Sequence, residues 1–305
     1  MDNIIKEKIR KLKKERNAII LAHVYQRDEV QGIADYIGDS LDLSKKALET
    51  KAKVIVFCGV RFMAETSAIL NPDKIVLLPE RNAGCLLADM VTINQLRKKK
   101  AQYPNAVVVS YINTSAAVKA ESDICCTSAN AVNVVKSLLG KQVLFVPDKN
   151  LGSYTASKTD REIGKNLVLW NGYCYVHEKN ITKDKIKGLK GLHPRAKVIV
   201  HLECNPSVID LADYVGSTTQ MLRYAKISNN KEFIVGTEDG IIYLLSKQNP
   251  EKRFYPLNTV CRDMKLINLK SIVLALQNLE HQVIVPEDIC IKAKRALDKM
   301  LEVCT

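Results

Sequence analysis

NAIILAH (17–23), NAVVVSY (105–111) and AKVIVHL (196–202) decide the fold. Each is a short β-branched run that follows a Lys-rich stretch of helical spacing and closes on a polar or titratable residue: His23, Tyr111 and His201, 88 and 90 positions apart. Recurrence at a fixed interval is the first thing to follow through a chain. Working outward, ADYIGDS (34–40), SDICCTS (122–128) and ADYVGST (212–218) come next and place Ser40, Ser128 and Ser217 at intervals of 88 and 89. The runs VIVF (54–57), VLFV (143–146) and FIVG (233–236) follow, then a helical stretch, then a fourth run: KIVLLP, LVLW or RFYPL. A single cysteine stands a few residues after each fourth run, Cys85, Cys174 and Cys261, 89 and 87 apart.

Short continuous apolar runs alternating with amphipathic stretches of about ten residues indicate parallel strands covered by helices on both faces. Each repeat therefore reads βαβαβαβ. The expectation is an α/β chain of three pseudo-equivalent small domains, each a three-layer αβα unit on a parallel sheet, arranged around a central active site. The repeats span 1–92, 93–180 and 181–270, and the segment 271–305 is expected to pack back on the first domain. No Gly/Ser- or Pro-rich linker separates the repeats, so they should pack tightly.

Composition narrows the class of protein. The chain has 305 residues, 47% of them hydrophobic and 26% charged, the ordinary globular mixture. No apolar run reaches the roughly 18 residues of a membrane span, and MDNIIKEKIRKLKKER is charged throughout, so a soluble, cytoplasmic protein is expected. Nine cysteines, an odd number without a secretory signal, argue for reduced thiols over a disulfide framework. Lys and Arg exceed Asp and Glu by 46 to 33, a net charge of +13 that suggests anionic partners. The Lys11, Lys13, Lys14 and Lys98, Lys99, Lys100 runs lack interleaved aromatics and read as solvated helix faces, without a nucleic-acid-binding motif.

In open parallel sheets, ligands bind beyond the carboxyl ends of the strands, where loops and helix N-termini converge. His23, Tyr111 and His201 end first strands. Ser40, Ser128, Ser217 and Thr218 stand where a second strand turns into a helix, so their hydroxyls can cap that helix or hold an anion. The cysteines follow the fourth strands. All three sets share one edge of their sheets, and three domains facing one axis bring the cysteines together. Three thiolates suit a cubane cluster with one iron lacking a protein ligand, or a three-ligand zinc. Cys58, Cys125, Cys126, Cys204, Cys290 and Cys304 lack counterparts and read as small buried hydrophobes.

The chain resembles the quinolinate synthase family over essentially its whole length. The matching strings are AHVYQ (22–26), GDSL (38–41), FMAE (62–65), LNPDK (70–74), YINTS (111–115), TSANAV (127–132), PDKNLG (147–152), HLEC (201–204), GSTTQM (216–221), GTE (236–238) and CRDM (261–264). The resemblance implies three similar α/β domains around a 4Fe-4S cluster. It implies a reaction of NAD biosynthesis, the condensation of iminosuccinate with dihydroxyacetone phosphate to quinolinate, phosphate and two waters. It also implies that Cys85, Cys174 and Cys261 hold the cluster and that His23, Ser40, Tyr111, Asn113, Ser128, His201, Glu203 and Thr218 line the substrate cavity, while Tyr25 and His177 match positions close to it. Glu203 is the expected general base, with His23, His201, Tyr25 and Tyr111 assisting proton transfer or carbonyl polarisation. Both substrates are small anions, and the sequence leaves open which aspartate oxidase or dehydrogenase supplies iminosuccinate. Val24, Leu202 and Tyr173 depart from the family strings without removing a ligand, acid or base. A cluster hydro-lyase acting on another hydroxy diacid, or a basic nucleic-acid-binding protein with a structural metal, are the competing readings.

Overall fold

A computed structural model describes residues 2–138, 140–159 and 166–303. Cys304 lies outside them. The β-branched runs form twelve strands in three separate sheets. The first holds β1 (Ala18–His23), β2 (Tyr36–Gly38), β3 (Val54–Cys58) and β4 (Ile75–Leu77); the second β5 (Val107–Tyr111), β6 (Ile124–Cys126), β7 (Val143–Val146) and β8 (Leu167–Leu169); the third β9 (Lys197–His201), β10 (Tyr214–Gly216), β11 (Glu232–Gly236) and β12 (Arg253–Pro256). Within every sheet the spatial order is second, first, third, fourth, and every pairing is parallel. Helices connect successive strands, so the βαβαβαβ reading holds in all three units. β3 and β7 are buried at every position, as strands sandwiched between helices must be.

This order reverses direction between the first and third strands of each sheet, which opens a crevice beyond their carboxyl ends. The pairing register fixes which residues are equivalent there. Gly38, Cys126 and Gly216 pair with His23, Tyr111 and His201 respectively. Two residues beyond stand Ser40, Ser128 and Thr218. The equivalent of the two serines is therefore Thr218, and Ser217 matches Asp39 and Thr127. Glycine at 38 and 216 lets the next helix start at once, since a Cβ there would lie 2.8 Å from Asp42 Cβ or 3.0 Å from Gln220 Cβ. The second unit has Cys126 at this point, and its helix begins only at Ala131.

The units are not beads. One continuous hydrophobic cluster joins Ile20, Val56 and Phe57 of the first sheet to Val109, Val143 and Phe145 of the second and reaches Leu202 of the third. The C-terminal segment closes it. Helix Leu269–Asn278 lies along the first helix, Asp2–Arg16, and touches β3. The chain then bonds to the edge of the first sheet, where Val283 N–H donates to Val76 O at 2.8 Å. Helix Glu287–Glu302 goes further than the first unit: it packs on Ala116–Ala120 and β6 of the second as well as on Arg61–Leu70 of the first.

Candidate active site

The carboxyl ends of all three sheets converge on a cavity of about 80 Å3. Pseudo-equivalent positions line it. First-strand ends contribute His23, Tyr111 and His201, and the residues two further on contribute Tyr25, Asn113 and Glu203. The starts of the next helices contribute Ser40 and Thr218, the turn before the next helix of the second unit contributes Ser128, and the loops after the fourth strands contribute Cys85, Cys174 and Cys261. Ser217 is absent from the wall. Its hydroxyl instead accepts the N–H of Gln220 at 3.3 Å, and Gln220 Oε1 accepts the N–H of Ser217 at 2.8 Å, so Ser217 caps helix Thr218–Ile227.

The charge excess stays behind the wall, where the ammonium of Lys265 stands 3.0 Å from Glu238 Oε1. Among the described residues that line the cavity there is no Lys or Arg. His23 and His201 are neutral donors. Nδ1 of His23 accepts the N–H of Tyr25 at 3.2 Å, and Nδ1 of His201 accepts the N–H of Glu203 at 3.3 Å, which leaves each ring's proton on Nε2. Burial holds both pKa values down to about 3.

Glu203 sits at the centre of a chain of polar contacts. Burial works against its ionisation, but His177 and the hydroxyl of Tyr111 beside it outweigh it, and the carboxyl is held below the usual range. Tyr111 donates to Oε1 at 2.5 Å, and His177 Nδ1 stands 2.7 Å from Oε2. His177 Nε2 is 2.9 Å from Thr237 Oγ1, which is 2.5 Å from the hydroxyl of Tyr25. The phenols of Tyr25 and Tyr111 have raised pKa values, chiefly through burial, and remain protonated.

Burial likewise pushes the thiols of Cys85, Cys174 and Cys261 up, that of Cys85 to about 12. A metal that binds such thiols displaces their protons. The backbone N–H of Cys174 donates to Asp148 Oδ2 and that of Cys261 to Glu238 Oε1, both at 3.1 Å. Asp148 and Glu238 are equivalent positions two residues past the third strands, and the first unit has Val60 there. The group tight enough to share one ion, with ligand atoms within 4.8 Å of one another, is Cys174, His177 and Glu203. The three cysteines do not form such a group.

The family description "Quinolinate synthetase A protein" matches residues 7–302. The chain belongs to the quinolinate synthase family. It is 53% identical over 304 residues to quinolinate synthase 2 of Methanosarcina acetivorans, covering 99% of this chain and 96% of that one. Identity is 52% over 303 residues with the quinolinate synthase of Thermodesulfovibrio yellowstonii, covering 99% of each chain. With that of Geobacter metallireducens it is 54% over 301 residues, 98% of this chain and 97% of the other. Neither the hydro-lyase nor the nucleic-acid reading finds support in these relatives.

The three departures from the family strings lie behind the cavity wall. Val24 is buried in the cluster it shares with Ile199 and Val235 of the third unit, and Leu202 is buried in the main core. Tyr173 takes the ammonium groups of Lys149 and Lys179 over its ring, at 5.0 and 5.2 Å. Reasoning from the sequence passed over Asp148, Thr237 and Glu238, whose polarity two residues or fewer past a third strand was the available signal. No described helix is long and apolar enough to cross a membrane.

Proposed function

We infer that the chain is a transferase of NAD biosynthesis that condenses iminosuccinate with dihydroxyacetone phosphate to give quinolinate, phosphate and two waters. The observation that carries the reading is one cavity where three cysteines from three units face an ionised Glu203 amid neutral hydrogen-bond donors. Cys85, Cys174 and Cys261 would hold a 4Fe-4S cluster. Such a cluster, with one iron free of protein ligands, supplies a Lewis acid for the loss of water.

The protein's own groups do the rest. Nε2–H of His23 and of His201, the Asn113 amide, and the hydroxyls of Ser40, Ser128 and Thr218 bind the carboxylates and the phosphate through neutral donors and helix N-termini. Without a Lys or Arg in the wall, the anions are oriented by hydrogen bonds and do not lock onto a fixed charge. Glu203 takes a carbon-bound proton, while Tyr111 holds its Oε1 by a hydrogen bond and the His177 ring stands 2.7 Å from its Oε2. Tyr25 keeps its proton and is joined through Thr237 to His177, so it is placed to protonate a leaving oxygen.

The test is iron and sulfide content of anaerobically purified protein, alongside quinolinate formation, for the parent and for Cys85→Ser, Cys174→Ser and Cys261→Ser. About four irons per chain in the parent, lost in each variant together with activity, is the expected result. Zinc in the parent, or iron retained in all three variants, would overturn it.

A further inference from the structure

Lys119 is fully buried, at 0% exposure, and is the one Lys or Arg among the described residues in that condition. It lies on helix Ala116–Ala120, directly after the loop that carries Tyr111 and Asn113 from the end of β5 into the cavity. Its ammonium donates to the carbonyl oxygen of Thr114 and lies over the ring of Phe62, 5.4 Å from the centroid. Phe62 belongs to helix Arg61–Leu70 of the first unit and lines the same cavity. One turn along that helix, Glu65 Oε2 accepts the N–H of Ala116 at 2.9 Å. Two opposite charges, one from each unit, thus grip the backbone between Thr114 and Ala116.

The loop is also tied to β6, where Ile112 N–H donates to Cys126 O at 2.8 Å, to Glu203 through the Tyr111 hydroxyl, and to itself. Thr114 Oγ1 donates to Tyr111 O at 3.0 Å and is 3.0 Å from Ser110 Oγ, and Thr114 N–H donates to Ile112 O at 2.8 Å. Asn113 Oδ1 is buried without a protein partner and is open to a donor in the cavity. Burial lowers the Lys119 pKa to about 8, with Cys125, Glu65 and Cys85 acting in the opposite sense, so the group is still mainly charged at neutral pH. Packing gives no reason for a charge here, because an apolar side chain of similar volume in place of a buried charge is often neutral or stabilising.

The geometry points to Lys119 as a positioning residue that fixes the loop Tyr111–Ser115 against the first unit, and through it the Asn113 amide and the Tyr111 hydroxyl. This rests on the reading of Tyr111 and Asn113 as substrate contacts. The experiment is anaerobic kinetics on the iron-loaded full chain with Lys119→Met, together with its melting temperature and iron content. The expected result is a fall in kcat/KM of about tenfold or more at unchanged iron, with a melting temperature equal to or above the parent's, and an added effect of less than about threefold in the Asn113→Ala background. Activity within about twofold of the parent would overturn it, as would a loss that follows lowered stability or iron, or full multiplicativity with Asn113→Ala. Should Lys119→Met not fold, Lys119→Arg must be more active than Lys119→Gln at matched iron and stability, and equal activity overturns the inference. Asn113→Ala and Tyr111→Phe, assayed alongside, separate the two failures. Full activity there removes the substrate-contact reading, whereas their loss beside an unaffected Lys119→Met removes only the role of Lys119.

Discussion

His23 and His201 are held in the same tautomer by the same device, a backbone N–H two residues on that donates to Nδ1. Their titration has a consequence for stability. Folded, each ring takes up a proton only near pH 3, whereas the ordinary value is 6.5. Below pH 6.5 the unfolded chain therefore binds more protons than the folded one, so stability present above that pH is lost as pH falls toward 3. Glu203, also held low, adds to the loss in the same direction. Melting temperatures of the metal-free chain from pH 8 to 5 should begin to fall below about 6.5, and His23→Asn should flatten the slope. An equal slope in the variant would show that other groups carry it. Glu203→Gln keeps the shape of the side chain and removes its basicity. It should leave iron content unchanged and lower kcat by about 100-fold or more, read by quinolinate formation against iron per chain. At this scale the sequence displayed residues that recur at repeat positions, because a strand end admits only a few chemistries. Lys119 escaped notice for the opposite reason: it acts through a contact with another unit, and nothing local distinguishes it from a helix-surface lysine.

The turn from second strand to helix shows how far a repeat can be read. The intervals of 88 and 89 paired Ser217 with Ser40 and Ser128, yet His23 to His201 spans the same number of residues as Ser40 to Thr218, and the strand register agrees with Thr218. A hydroxyl at two successive positions hid the offset. The two hydroxyls now separate by function: Ser217 faces the helix end it caps, and Thr218 faces the cavity. Ser217→Ala should cost about 1 kcal/mol of stability, seen in urea unfolding, with activity per folded chain retained. Thr218→Val should do the reverse, keeping the unfolding midpoint and raising KM. Matching losses in both variants would mean that the cap and the binding wall cannot be told apart. The first and third strands of each unit were plain in the sequence because β-branched runs of four to six residues, largely buried, have few alternatives. Where the helix of the second unit begins was not, since it depends on Cys126 standing where the other units have glycine.

Three units with one scaffold and different wall residues suggest what the symmetry is for. At successive levels the cavity presents His, Tyr and His; then Tyr, Asn and Glu; then Ser, Ser and Thr; only the cysteine level is the same in all three. A ligand set that must surround one object demands identity, whereas asymmetric substrates demand difference. The arrangement requires the units to hold their mutual positions, and the main hydrophobic cluster does this by running from the first sheet into the second and taking in both C-terminal helices. Tight packing was legible in the missing linkers. The path of the last helix was not, because its apolar face could cover either unit. Leu297, fully buried on that helix, tests the idea. Leu297→Ala should cost about 2–5 kcal/mol. If the first two units unfold together, hydrogen exchange of the slowest amides in both β3 and β7 should accelerate by that full amount. The amides of β11, between two clusters centred on the third unit, should accelerate less. Acceleration confined to the contacts of the last helix would instead make the units separate folding blocks.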